Sequence, residues 1–130
     1  MSDKKYTLLV IDDEAALNTA LCESLKHAGY AVKSARTGSE GLKEVSHDID
    51  LVLLDVMLTD TTGWDVLEEI KSEASTKDIP VIVMSNLDST DRRVELSISG
   101  AVDYILKSNT SLDTIVEKVN SILKRSSKTK

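Results

Sequence analysis

The sequence contains no phenylalanine, and its whole aromatic share is 3%, so its core has to be aliphatic. It contains one cysteine, Cys22, which excludes an internal disulfide. Cys22 follows Leu21 in a helical pattern, and its thiol reads as packed in preference to reactive. No signal-peptide pattern opens the chain, and no apolar stretch is long enough to span a bilayer. The expectation is a soluble protein of a reducing compartment, cytoplasmic, with no membrane insertion. Positive charge is also short. A net charge of −6 works against direct nucleic-acid binding, because phosphate contact needs a basic face. A separate DNA-binding partner remains compatible with it.

What is present suits one domain over residues 1–130, and 41% hydrophobic residues are enough for an ordinary core. No internal repeat or interdomain linker interrupts it. The core is expected from about residue 6 to 124, with a polar tail over 125–130 that frays.

Four apolar runs stand out, and each ends in polar chemistry. Leu8-Leu9-Val10-Ile11 ends in Asp12-Asp13-Glu14. Leu51-Val52-Leu53-Leu54 ends in Asp55. Val81-Ile82-Val83-Met84 ends in Ser85-Asn86, and Val102-Asp103-Tyr104-Ile105-Leu106 ends in Lys107. Runs of this kind read as strands buried on both faces. The groups at their tips then fall on the C-terminal edge of a sheet, where open α/β folds place their sites.

Helical patterns alternate with these strands. Leu17, Leu21 and Leu25 share a face, and Gly29 stops that helix in the left-handed position. Tyr30 to Ala35 reads as a short strand. Thr37-Gly38-Ser39-Glu40 has capping-box spacing, with Leu42 and Val45 continuing the helix. Gly63 precedes a helix carrying Val66, Leu67 and Ile70, and Pro80 is tolerated where the fourth strand starts. The segment with Val94, Leu96 and Ile98 alternates like a strand but is assigned to helix. Ser89 or Thr90 caps it, Gly100 ends it, and Leu96 is left off the core face. Leu112, Ile115, Val116, Val119, Ile122 and Leu123 form the last amphipathic stripe. Five strands alternating with five helices imply an α/β fold with a five-stranded parallel sheet covered on both faces, and the doubly wound, flavodoxin-like (βα)5 strand order 2-1-3-4-5 is one known arrangement that fits this count.

Asp12, Asp13 and Asp55 at adjacent strand ends repel one another unless a cation joins them. Magnesium fits, since it takes a few carboxylates, keeps several waters and recruits phosphate. A phosphoryl group there would meet the metal, Lys107 and the Ser85 hydroxyl, with Asp55 as nucleophile. Taken singly, these residues have plainer readings. Asp12-Asp13-Glu14 can cap the first helix, Lys107 can be a surface lysine, and Ser85 and Asn86 can be loop residues. Asp60, Asp65 and Asp88 read as caps or solvated charges. His27 and His47 lie near helix C-termini, where partial positive charge is favourable.

The combination resembles the receiver domains of bacterial two-component response regulators, of the chemotaxis-receiver kind. The resemblance runs from Leu8 to Leu123. It is carried by Asp12-Asp13, by Leu53-Leu54-Asp55-Val56-Met57, by Gly63-Trp64, by Ser85 and by Gly100 to Lys107. It implies that Asp55 accepts a phosphoryl group from a sensor histidine kinase or a histidine phosphotransfer protein. It implies that Asp13, Asp55 and the Met57 carbonyl hold Mg2+, with Asp12 assisting through water. Ser85 and Lys107 would bind the phosphoryl group, and Tyr104 would be the switch aromatic. Leu96 and Tyr104 would face a downstream protein partner or a second receiver. Met57 and Leu87 would flank the water of dephosphorylation. Both are apolar, which predicts slow loss of phosphate.

Three positions depart from the family pattern. Thr59 replaces a usual proline, Thr62 a usual Asp or Asn, and Ser108 a proline that is often cis. A cis bond before serine costs roughly 3 kcal/mol, so Lys107-Ser108 is either trans with a rearranged loop or strained. Three other classes share some of these features. A haloacid-dehalogenase-type phosphatase places an Asp where Met57 stands, and a flavodoxin-type flavin binder needs a hydroxyl- and glycine-rich loop after the first strand. A pseudo-receiver is an interaction module that never sees phosphate, and the complete acidic and lysine set argues against it.

Overall fold

The structure is a computed structural model that describes residues 5–86 and 100–128. Its strands are β1 (Thr7–Ile11), β2 (Ala31–Ala35), β3 (Leu51–Asp55), β4 (Val81–Ser85) and β5 (Asp103–Leu106). Its helices are α1 (Ala15–His27), α2 (Gly38–Glu44), α3 (Gly63–Ser72) and α4 (Leu112–Lys128), with a 3-10 turn at Lys107–Asn109. All strand pairs are parallel, as the alternating pattern predicts, and the order is β2-β1-β3-β4-β5, the flavodoxin-like order expected. The expected helix with Val94, Leu96 and Ile98, together with Leu87, Asp88, Ser89 and Thr90, lies outside the described residues.

Alternation of side chains along each strand divides the aliphatic core in two. Leu8, Val10, Leu51, Leu53, Ile82 and Met84 pack on one face with Leu21, Leu25 and the α4 residues Ile115, Val119, Ile122 and Leu123. Leu9, Ile11, Val52, Leu54, Val81 and Val83 pack on the other with Val66, Leu67 and Ile70 of α3. Both faces are covered, which is why the central strands β1, β3 and β4 read as apolar runs.

Three local expectations need correction. In α1 the buried stripe is Asn18, Leu21, Cys22 and Leu25, whereas Leu17 is only half-buried. Cys22 is buried, as its place beside Leu21 suggested. Val45 does not continue α2; its backbone turns extended and ends the helix. The polar tail does not fray from residue 125, because α4 runs on to Lys128. Asp55 is the last residue of β3, at the strand tip.

Two glycines shape the way to the site. Gly29 has φ 104° and closes α1 in a Schellman motif, its N–H donating to the Lys26 carbonyl and that of Tyr30 to the Leu25 carbonyl. Gly41 of α2 lies against Ile11, with no room for a Cβ. This close approach seats α2 on the end of β1, one residue before Asp12. Gly41→Ala is expected to overpack the contact and lower the unfolding free energy by about 1–3 kcal/mol, measured by urea denaturation.

Candidate functional site

The carboxyl edge of the sheet carries the chemistry. β1 delivers Asp12 and Asp13, β3 delivers Asp55, and β5 leads straight into Lys107. Asp12 is fully buried and Asp55 is 3% exposed, so neither is an ordinary surface acid. The Lys107 ammonium sits 3.2 Å from Asp12 Oδ2, 3.1 Å from Asp55 Oδ2 and 3.0 Å from Glu14 Oε1. The backbone holds the two aspartates from behind. Asp12 Oδ1 accepts from the Glu14 N–H at 2.9 Å, and Asp55 Oδ1 from the Met57 N–H at 3.2 Å.

One ammonium does not balance the four carboxylates of Asp12, Asp13, Glu14 and Asp55. Burial, and then the charge of Asp12, push the Asp55 carboxyl up from 3.8 to about 6, against the pull of Lys107 and the Met57 N–H. Burial works against the Lys107 charge, but Glu14, Asp55 and Asp12 outweigh it and hold the ammonium above the usual lysine range. Asp12 Oδ2 lies near the ammonium without the alignment of a hydrogen bond, and it has no hydrogen-bond partner among the described residues. Asp12, Asp13 and Asp55 each offer an oxygen within 4.8 Å of the others. A surplus of negative charge, an unaligned buried oxygen and three converging carboxylates suit a small hard divalent cation.

The other expected residues take these places. Ser85 is buried at the end of β4, beside β5. The Met57 side chain is 60% exposed. Tyr104 and Trp64 are half-buried and pack on the α3 side of the sheet. Leu96 and Leu87 lie outside the described residues. Lys107-Ser108 is trans, since no cis peptide occurs among the described residues. The chain after β5 instead tightens into the 3-10 turn, closed by Thr110 Oγ1 donating to the Leu106 carbonyl at 2.8 Å.

Three residues enter that the sequence reading placed elsewhere or passed over. Glu14 is a third acid on Lys107. Asn18 donates to the Asp12 and Ala35 carbonyls and accepts from Ser34 Oγ and Cys22 Sγ, tying the ends of β1 and β2 to α1. Its helical phase with Leu21, Cys22 and Leu25 was the available signal. Asp60 is no cap of its own helix; it bonds α2 instead. Thr62 caps α3 through the Asp65 N–H.

A doubly wound parallel sheet with buried acids on its first and third strand tips, and a lysine after the fifth, defines the receiver class of signalling domain. Residues 8–120 match the family model of the response regulator receiver domain, and the chain belongs to that family. It is 35% identical over 123 residues to the probable transcriptional regulator ycf27 of Cyanidium caldarium, covering 94% of this chain and 48% of that protein. It is 37% identical over 108 residues to the transcriptional regulatory protein ZraR of Klebsiella oxytoca, covering 82% of this chain and 24% of that one. The chain thus spans about half the length, or less, of these relatives. Among solved structures, a CheY-like receiver domain protein of Methanospirillum hungatei superposes with a TM-score of 0.88 at 26% identity, covering 98% of this chain and 100% of that one. Among the described residues, no helix is long and apolar enough to cross a membrane.

Proposed function

We propose that Asp55 is the phosphoacceptor of a magnesium-dependent signalling receiver, charged by a sensor histidine kinase or a histidine phosphotransfer protein. The observation that carries this is the Lys107 ammonium bridging two buried aspartates, with Asp13 close enough to complete an oxygen-lined cation site.

The transfer is a displacement. An Asp55 oxygen forms the new O–P bond as the N–P bond of the donor's phosphohistidine breaks, and the electron pair leaves with the imidazole. Asp55 must be ionised to attack, and with its carboxyl at about 6 it is so at neutral pH. Lys107, already beside Asp55 Oδ2, is placed to follow the charge onto the phosphoryl oxygens. Asp12, Asp13, Asp55 and the Met57 carbonyl would hold Mg2+, which neutralises charge on the phosphoryl oxygens when bound. The Ser85 hydroxyl takes one of those oxygens, and Tyr104 on β5 follows Ser85 as the switch. The exposed thioether of Met57 cannot orient water, so the phosphate should hydrolyse slowly.

A downstream protein or a second receiver then reads the altered surface. The relatives are described as transcriptional regulators, so control of transcription is the output class we favour. The acidic receiver itself is not proposed to touch DNA. A cytoplasmic location goes with a kinase donor.

Intact-mass measurement after incubation with a small phosphodonor and magnesium tests the reading. Wild type should gain the mass of one phosphoryl group, and Asp55→Asn should gain none. No adduct on wild type, or an equal adduct on Asp55→Asn, would overturn it and favour the pseudo-receiver.

A further inference from the structure

The loop between β3 and α3 has an unusual fastening. Its base is closed by the Gly63 N–H donating to the Val56 carbonyl at 2.7 Å and by an antiparallel bridge between Met57 and Thr62. Gly63 lies so close to the backbone of Asp55 and Val56 that a Cβ would collide with it. The tip is held from a different element. Asp60 Oδ1 accepts from the Gly38 N–H at 2.8 Å, and Oδ2 accepts from the Ser39 N–H at 3.0 Å and from Ser39 Oγ at 2.8 Å. Those groups open α2. The backbone N–H donors keep the Asp60 carboxyl below the usual carboxylate range, as expected of a charge-assisted clasp.

This fastening matters because of where the loop points. Its Met57 N–H holds Asp55 Oδ1, which turns the other oxygen toward Lys107. α2 is seated on Ile11 through Gly41, next to Asp12. Asp60 therefore connects the backbone that aims Asp55 with the helix that rests on the strand carrying Asp12 and Asp13. Thr59 leaves the loop without the fixed φ of a proline, so its shape depends on such contacts.

We propose that Asp60 is a positioning residue for the Asp55 site: by clasping the start of α2 it fixes the Met57 backbone and preorganises the acidic crevice for its divalent cation. The metal part rests on the function proposed above.

The test has two arms on the whole chain, using Asp60→Ala and the milder Asp60→Asn, which keeps one acceptor. Val119→Ala, a core truncation in α4 remote from the loop, serves as the stability control. In metal-free protein, amide exchange at Met57 and Gly63 should quicken about tenfold in Asp60→Ala relative to Val119→Ala. In a magnesium titration followed by Trp64 fluorescence, the dissociation constant should rise about tenfold in Asp60→Ala and less in Asp60→Asn, with Val119→Ala like wild type. Unchanged Met57 exchange overturns the clasp whatever the metal does. Faster exchange with unchanged magnesium affinity overturns the positioning role. Wild type that binds no magnesium defeats the functional reading, while the exchange arm still decides the clasp. Should Asp60→Ala fail to fold, Asp60→Asn carries both readouts in the same directions.

Discussion

Replacing Lys107 by methionine should lower the unfolding free energy at pH 8 by about 3–5 kcal/mol, the usual cost of stripping a buried charge of its partner. Methionine keeps the length and apolar stem of the side chain, so packing is largely conserved and the loss reports electrostatics. Asp12 and Asp55 would then face each other without an ammonium between them. The pH dependence gives the mechanism away. Without Lys107 the folded-state pKa of Asp55 rises above about 6, further from the ordinary 3.8. A raised carboxylate stabilises the fold at low pH and loses that contribution as pH climbs through the folded value. The variant should therefore approach wild-type stability near pH 4 and fall away steeply above pH 6. Chemical denaturation across that range checks it, and a pH-independent loss would point to packing instead.

Asp55→Asn should act in the opposite sense. In metal-free wild type, the shift of Asp55 from 3.8 to about 6 means that ionising this group costs stability between those pH values. A shift of this size corresponds to roughly 2–3 kcal/mol at neutral pH. Asn removes the charge and keeps the shape, so the metal-free variant should melt several degrees above wild type at pH 7. It should show no such gain near pH 4. Added magnesium should stabilise wild type more than the variant and narrow the gap, because only wild type retains the full set of carboxylates. Thermal melts at the two pH values, with and without magnesium, measure all of this. A variant less stable than wild type in metal-free buffer at pH 7 would show that Lys107 already compensates Asp55 in full.

The fold was legible because its three central strands, β1, β3 and β4, are buried on both faces. Val81 to Met84 and Leu51 to Leu54 need no partner residue to be recognised, only their own continuity. The groups at the strand tips were legible for the same reason, since a parallel sheet brings all carboxyl ends to one edge. Residues whose role depends on a neighbour from another element were not legible. Asp60 looks like any loop carboxylate until α2 is placed beside it, and Asn18 looks like a solvated helix residue until β2 is. The path of the chain after Lys107 was undecidable in sequence, because the 3-10 turn there is joined back to β5 by Thr110. Helix ends failed where propensity and packing diverge: α4 outlasts its apolar stripe, and α2 stops at Glu44 although Val45 fits the pattern.

Lys107 and Asp12 are 95 residues apart in the chain, and the lysine arrives from an edge strand. Edge strands are ordinarily the first part of a sheet to detach in partial openings. Here detachment of β5 would withdraw the Lys107 ammonium from two buried carboxylates, so such an opening carries an electrostatic penalty beyond its lost hydrogen bonds. The acidic crevice thus acts as a latch on the sheet's far edge. Anything that removes charge from Asp55 loosens the latch. The accessibility of β5 to proteases or to a pairing strand is thereby tied to the charge state of a residue two strands away.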